Sequence, residues 1–326
     1  MRESSEINHG WTYKNHIQPD AAGQTVLQFY LRRYPHSSAE AWRKRILSGE
    51  VRLNDRPITP ETLLSTGQRL TYHRKPWPEP DAPVSFALLY EDEHLIAVAK
   101  PAGLPVLPGG QHLRNTLLAR VRERYPETPG PAPLHRLGRG TSGVVLFGRT
   151  ELARRVLSDD FRNRRICKIY RALVEGTDMP DRFAVNVPIG RIPYPPTRYL
   201  YAATSEGKPT RTECRVLNRI PDGNRSLIRV NLITGRAHQI RIHLAAAGHP
   251  LIDDPLYRSG GLPAVPTAGG RAPLPGDIGY HLHARELHFT HPETSRIVHL
   301  ACMPPPILRT PAEVAGQAVP LQLHEF

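Results

Sequence analysis

The chain has 326 residues, enough for two domains, and carries 43 Lys and Arg against 30 Asp and Glu, a formal net charge of +13. A basic excess of that size favours a polyanionic partner, and charge alone leaves RNA, DNA and an anionic membrane surface open. No run of about 18 apolar residues occurs, so no membrane-crossing helix is expected. The first ten residues are polar and lack the apolar stretch of a secretory signal. Cys167, Cys214 and Cys302 are scattered and form no CxxC pair. They fit buried thiols in a reducing cytoplasm, which is the expected location.

Residues 1–20 read as a polar leader. From Thr25 the pattern turns helical, with Val26, Phe29, Tyr30 and Leu31 near one face. A second helix is expected from an N-cap at Ser38 through Trp42 and Ile46 to Gly49. Val51–Leu53 then alternates like a strand, Asn54-Asp55 makes a turn, and a further short strand follows Gly67. Arg32, Arg33, Arg43, Lys44, Arg45, Arg52 and Arg56 outnumber the acids Glu40, Glu50 and Asp55 here. Residues 21–75 thus form a small basic α/β module, either phosphate-facing or simply a cap with solvated charges. Pro76, Pro78, Pro80 and Pro83 make 76–83 a semi-rigid linker.

Beyond the linker, Phe86 to Ala99 gives two strands around Glu91-Asp92-Glu93. Strands and helices then alternate to about residue 303 without regular βαβ spacing. The expectation for 84–303 is an α+β fold on a mixed, mainly antiparallel sheet. Cys167–Gly176 alternates as a strand, with Tyr170 and Ala172 on one face. Residues 259–276 are a Gly/Pro-rich loop, and 304–326 are expected to be a peripheral tail. Eight basic residues between Arg149 and Arg171, against Glu151, Asp159 and Asp160, suggest a phosphate-tracking surface. His281, His283, His288 and His291 are dense enough to raise a metal site, but no Cys or acid completes a ligand set, and none is assigned.

Five phrases carry the chemistry: AKPAGLPVLPG at 99–109, HRLGRGTSG at 135–143, CKIYRALVEG at 167–176, TGRAHQIRIHLAAAGHPLIDDPLY at 234–257 and LHARELHFTHPET at 282–294. In this order and spacing they resemble the RluA-type family of RNA pseudouridine synthases. The helices followed by SGEVRLNDRPI, with Ile46, Gly49, Val51 and Asn54, resemble the S4 RNA-binding module. In that module the helical face, here Arg43, Lys44 and Arg45, meets RNA phosphates. The resemblance implies isomerisation of uridine to pseudouridine in structured RNA, ribosomal or transfer. Uracil is detached at N1, turned, and rejoined through C5. It implies no metal or other cofactor and no obligate protein partner. The target base must be flipped out or presented in a loop.

By the same resemblance, Tyr170 is the active-site tyrosine, whose ring stacks on uracil and whose hydroxyl serves in proton transfer. Arg136 fills the gap left by the flipped base or binds phosphate. Arg241 matches the arginine that holds the catalytic carboxylate. His135, Arg139, Thr141, Arg236, Gln239 and His243 are expected to support RNA binding, with Arg236 and His243, or Gln239 and His243, sharing a helical face. Asp254 matches a structural acid after the GHP turn.

One departure matters. The family motif reads His-Arg-Leu-Asp, and its Asp is the reacting carboxylate. Here Gly138 stands at that position, and Gly140 stands two residues on, where members often show a second acid. Three readings remain open: an inactive RNA-binding protein, a carboxylate supplied from elsewhere with Asp253 as candidate, or chemistry without a carboxylate. Arg241 is expected to face a vacant place. An aspartate at 138 is expected to restore or raise activity, with the glycine backbone as the obstacle.

Overall fold

The computed structural model describes residues 7–34, 37–264 and 271–316. The chain divides into two units, Met1–Pro80 with Pro193–Leu200, and Asp81–Ile192 with Tyr201–Phe326. The boundary at Pro80–Asp81 falls inside the proline-rich stretch.

In the first unit, β1 (Trp11–His16), β2 (Val51–Leu53), β3 (Arg56–Pro57) and β4 (Arg69–Arg74) form a four-stranded sheet in the order β1-β4-β2-β3. Residues 11–16 therefore do not belong to a polar leader, since β1 pairs with β4 along its whole length. Helices α1 (Val26–Arg33) and α2 (Ala39–Leu47) begin at side-chain caps. The Thr25 hydroxyl accepts from the Gln28 amide while the Gln28 side chain accepts from the Thr25 amide, so two otherwise orphaned donors are satisfied reciprocally. Ser38 caps α2 through the Ala41 amide. Tyr30 stacks on Trp42 with ring centroids 4.2 Å apart, at the centre of the unit's core. Asn54 and Asp55, both at positive φ, turn β2 into β3.

The second unit is built on β5 (Ala87–Glu91), β6 (Leu95–Lys100), β7 (Ala132–Pro133), β8 (Ser142–Gly148), β9 (Cys167–Glu175), β10 (Arg182–Val185), β13 (Thr212–Ile220), β14 (Arg225–Leu232), β17 (Leu282–Thr290) and β18 (Ile297–Ala301). Hairpins β11 (Ile189–Tyr194) with β12 (Arg198–Ala203), and β15 (Tyr257–Arg258) with β16 (Leu262–Pro263), stand apart from this sheet. The ten-stranded sheet runs β10-β13-β14-β9-β17-β8-β6-β5, with β7 beside β8 and β18 beside β17. The β17–β8 contact is parallel, whereas the other described pairs in the sheet are antiparallel. An α+β fold with a mixed, mainly antiparallel sheet is what the sequence led us to expect.

The period-two alternation of β8 divides the core. Val145 and Phe147 join the cluster holding Leu117 and Val121 of α3 (Leu117–Arg124) and Ile240 and Leu244 of α5 (Gln239–Ala246). Val144 and Leu146 point the other way, to Ala153 and Leu157 of α4 (Glu151–Arg162). Helices therefore cover both faces, and Tyr170 and Ala172 project to the α3/α5 side. No helix among the described residues is long and apolar enough to cross a membrane.

The end of the chain is not peripheral as far as it is described. Leu308 is 1% exposed against Leu173 and Leu227. Glu313, in α6 (Pro311–Val314), accepts from both terminal nitrogens of Arg171 at 3.1 and 3.3 Å. Both residues are buried, so removing one partner leaves the other charge uncompensated. Glu313→Gln is expected to cost ~3–5 kcal/mol, read as a shift of the urea midpoint. Arg171→Leu with Glu313→Leu is expected to cost far less, because neither charge then remains in the interior.

Candidate active site

A cleft of about 470 Å³ opens on the α5 side of the sheet. Its walls come from three distant stretches: His135–Thr141, the β9 residues Lys168 and Tyr170, and Gly235–Arg241, with Tyr280 and Leu282 closing it. Tyr170 is held in the sheet opposite Val230 of β14 and Ala284 of β17. Burial pushes its phenol well above the usual tyrosine range, so it is a neutral hydroxyl at neutral pH. Lys168, two residues earlier on the same face of β9, is 8% exposed and lines the same cleft. Burial pulls its ammonium below the usual lysine value.

Arg241 does not face a vacant place. Its Nε and Nη2 donate to the two carboxylate oxygens of Asp254 at 2.7 and 2.6 Å, and the residues are 2% and 1% exposed. Asp254 also accepts from the amides of Leu256 and Tyr257. Arg241 Nη1 remains buried with no hydrogen-bond partner among the described residues. The guanidinium carbon lies 4.1 Å from the Tyr280 ring centroid and 5.1 Å from that of Tyr257. Asp254 thus positions the arginine, and it does not line the cleft. Asp253 does not supply a substitute carboxylate either. Its side chain is 72% exposed, beside His281, and is absent from the cleft wall. Among the described residues no Asp or Glu lines this cleft.

The loop carrying Gly138 is fixed from behind. Lys100, at the end of β6 and 1% exposed, donates to the carbonyls of Pro101, Leu104 and Arg139. Burial lowers its pKa to about 7, while three carbonyl acceptors favour the ammonium form. The Arg139 carbonyl also accepts from the Gly103 amide, which ties the AKPAG and HRLGRG phrases together. Gly138 has no positive φ, so backbone strain is not the obstacle to an aspartate there. Space is: a Cβ at 138 would lie 2.8 Å from the Tyr280 hydroxyl.

The remaining expected residues separate into two groups. Arg136 and Arg236 are exposed at the cleft, but Arg236 lies in the loop before α5 and so shares no helical face with His243. His243 is fully buried, its Nε2 within 3 Å of the Thr210 hydroxyl and the Val187 carbonyl, and RNA cannot reach it. Gln239 spends its amide on Thr234, Arg236, Arg211 and Thr212, which pins the 234–239 loop. His135 accepts from the Leu146 amide and packs on Phe161, so it holds the loop to β8. Arg139 donates to the Gly276 carbonyl, and Thr141 lies 3.3 Å from the Tyr280 hydroxyl. Arg43 pairs with Glu61, Lys44 is exposed, and Arg45 stacks over Trp42. The basic 149–171 stretch is a broken surface. Arg149, Arg154 and Arg171 are engaged internally, and Arg162 and Arg165 pair with Asp159. The four C-terminal histidines go to separate partners: Asp253, Ser142, Glu286 and Asp92.

Lys168, His238 and Tyr280 are cleft residues that motif reading missed. Lys168 was visible only as one basic residue among eight, and Tyr280 precedes its motif by two positions. His238 sits at the head of α5 in a left-handed conformation, with φ of 58°. Its Nδ1 meets the Tyr257 hydroxyl, which itself donates to the Tyr201 carbonyl.

Comparison with known proteins gives a consistent picture. A family model described as RNA pseudouridylate synthase matches residues 94–246. An RNA pseudouridine synthase of Synechocystis, itself labelled uncharacterised, is 44% identical over 92% of this chain and 100% of its own length. RNA pseudouridine synthase 5 of Arabidopsis thaliana is 39% identical over 94% of this chain and 96% of its own. Among solved structures, human RNA pseudouridylate synthase domain containing 1 aligns with a TM-score of 0.54 and 26% identity, over 71% of this chain and 89% of that one.

Three histidines give a pH signature, and two of them, His135 and His238, line the cleft. Burial lowers His238 and His283 to about 4 and His135 to about 3, the last also through the Lys168 cation. The unfolded chain therefore takes up these protons first. The stability they contribute is complete above about pH 6.5 and drains as pH falls towards 4, by up to about 1.4 kcal/mol per pH unit for each group. Urea unfolding at pH 7.5, 6 and 5 should show a falling midpoint, and His283→Gln should flatten that slope.

Proposed function

The chain belongs to the RNA pseudouridylate synthase family, and on that premise we propose that it isomerises a uridine of a structured RNA, ribosomal or transfer, to pseudouridine. The observation that carries the reading is the convergence of Tyr170, Arg241 and the Arg136–Thr141 turn on one cleft from three distant parts of the chain. A base inside a helix is out of reach, so the uridine enters flipped out. Its uracil lies against Tyr170, and Arg136 at the mouth takes the vacated stack or a phosphate. The basic N-terminal unit, read as an S4-like module, adds phosphate contacts through Arg43, Lys44 and Arg45. The three free thiols suit a cytoplasmic setting. A protein that only binds RNA draws no support from the relatives, whose names are those of synthases.

The test is mass-neutral conversion of uridine in RNA incubated with the purified full-length chain. Tyr170→Phe is expected to lower the rate by about a hundredfold or more, the scale of a lost proton-transfer group, with RNA affinity retained. An unchanged rate removes Tyr170 from the chemistry. Affinity for RNA should fall linearly on a log–log plot against salt. An affinity indifferent to salt contradicts the phosphate-contact reading.

A further inference from the structure

Two glycines give the first observation. A Cβ on Gly138 would fall 2.8 Å from the Tyr280 hydroxyl oxygen, and one on Gly140 would fall 2.9 Å from Tyr280 Cζ. Neither glycine has a positive φ, so the backbone does not demand them. The Tyr280 ring does. A side chain at 138 and this phenol, as placed, compete for the same space, and the phenol occupies the ground where a carboxylate at 138 would begin.

The second observation is Arg241. Two of its nitrogens are taken by Asp254, while Nη1, in a residue 2% exposed, has no partner among the described residues. A buried donor left unmade costs about 1–3 kcal/mol, and this one belongs to a cation that backs the cleft wall. The Tyr280 ring is stacked on the same guanidinium, 4.1 Å from its carbon. Thr141 Oγ1 lies 3.3 Å from Tyr280 Oη and either hydroxyl can donate, so whenever Thr141 donates the phenolic hydrogen is available to a ligand.

We propose that Tyr280 Oη–H, seated on the Arg241 guanidinium, donates to a uracil oxygen, and that Tyr280 is a catalytic residue standing in place of the family's carboxylate. This rests on the isomerase reading above. A cleft with a donor and no acid among its described lining residues suits charge developing on the departing base. The C1′–N1 bond breaks and its electron pair passes to the uracil, where it spreads to the ring oxygens. A donor fixed at such an oxygen stabilises that anion without reorganising. After the base turns, the C5 electron pair closes the C1′–C5 bond, and the proton released from C5 is taken up at N1. Atoms and charge balance within the nucleotide, with no co-reactant consumed.

The experiment is single-turnover pseudouridine formation by the full-length chain on an RNA that the native protein modifies, with RNA affinity and melting temperature measured alongside. Tyr280→Phe keeps the ring on Arg241 and removes only the hydroxyl. Its rate should fall about a hundredfold or more, the scale of one lost anion-stabilising donor, with affinity and melting temperature unchanged. Tyr280→Ala should be as slow. Adding Gly138→Asp to Tyr280→Ala should recover activity, because the acid then has room, whereas Gly138→Asp in the native background should not raise it. Native rate in Tyr280→Phe, with Tyr170→Phe inactive, overturns the Tyr280 donor and leaves the isomerase reading standing. A rate loss matched by equal losses in affinity and melting temperature also overturns it. No pseudouridine from the native protein on any cellular RNA fraction overturns both.

Discussion

Arg241 and Asp254 form a bidentate ion pair in the interior, and the cleft depends on it. Burying two charges is expensive, and only good geometry with every remaining lone pair satisfied offsets the desolvation. Here the two N–H···O contacts are 2.7 and 2.6 Å, and the amides of Leu256 and Tyr257 occupy a further position on the carboxylate. The pair fixes the guanidinium plane, and that plane in turn seats Tyr257 and Tyr280. It also explains how α5 can be buried almost all round while carrying Arg, Gln and His: each polar side chain has partners among neighbouring loops.

The opposite wall is held by a different device. Lys100 uses its three hydrogens on three carbonyls, one of them belonging to Arg139 in the Gly138 loop. His135 anchors the start of that loop to β8 through the Leu146 amide. The loop is therefore clamped at both ends by buried side chains, and Tyr280 fills the space between it and Arg241. A side chain added to either glycine has to displace a ring already wedged between two rigid walls, and such overpacking costs about 1–3 kcal/mol.

What the sequence made legible follows from local rules. The caps at Thr25 and Ser38, the turn at Asn54-Asp55 and the facing of Tyr170 with Ala172 depend on residues a few positions apart, and period and capping chemistry show them directly. The motif phrases brought Tyr170, Arg136, Gly138 and Arg241 to one place. Long-range partners were hidden. Nothing local says that Glu313 pairs with Arg171 or that Tyr280 fills the volume beside Gly138, because those contacts are made by sheet topology across more than a hundred residues. β1 was missed because an edge strand with polar exposed positions looks like a leader until its partner is known. His243 was misassigned because a motif histidine and a buried structural one look alike in sequence.

The net charge of +13 also has to be read through the structure. Some of the arginine serves as internal clamps: Arg154 donates to the carbonyls of Gly148, Gly130 and Arg149, and Arg309 to that of Pro304. Loop-rich chains with many prolines leave carbonyls without ladder partners, and a guanidinium with five donors can gather several of them at once. Such arginines raise the isoelectric point without offering a surface to phosphate. The charge left for a polyanion is smaller: Arg136 and Arg236 stand exposed at the mouth of a cleft with no acid among its described lining residues, and Arg32, Arg33, Lys44, Arg52 and Arg56 are exposed on the first unit. A positive mouth over a floor without a lining acid favours a negatively charged group outside and an electron-rich one within, the first through the two arginines and the second through the absence of a competing carboxylate.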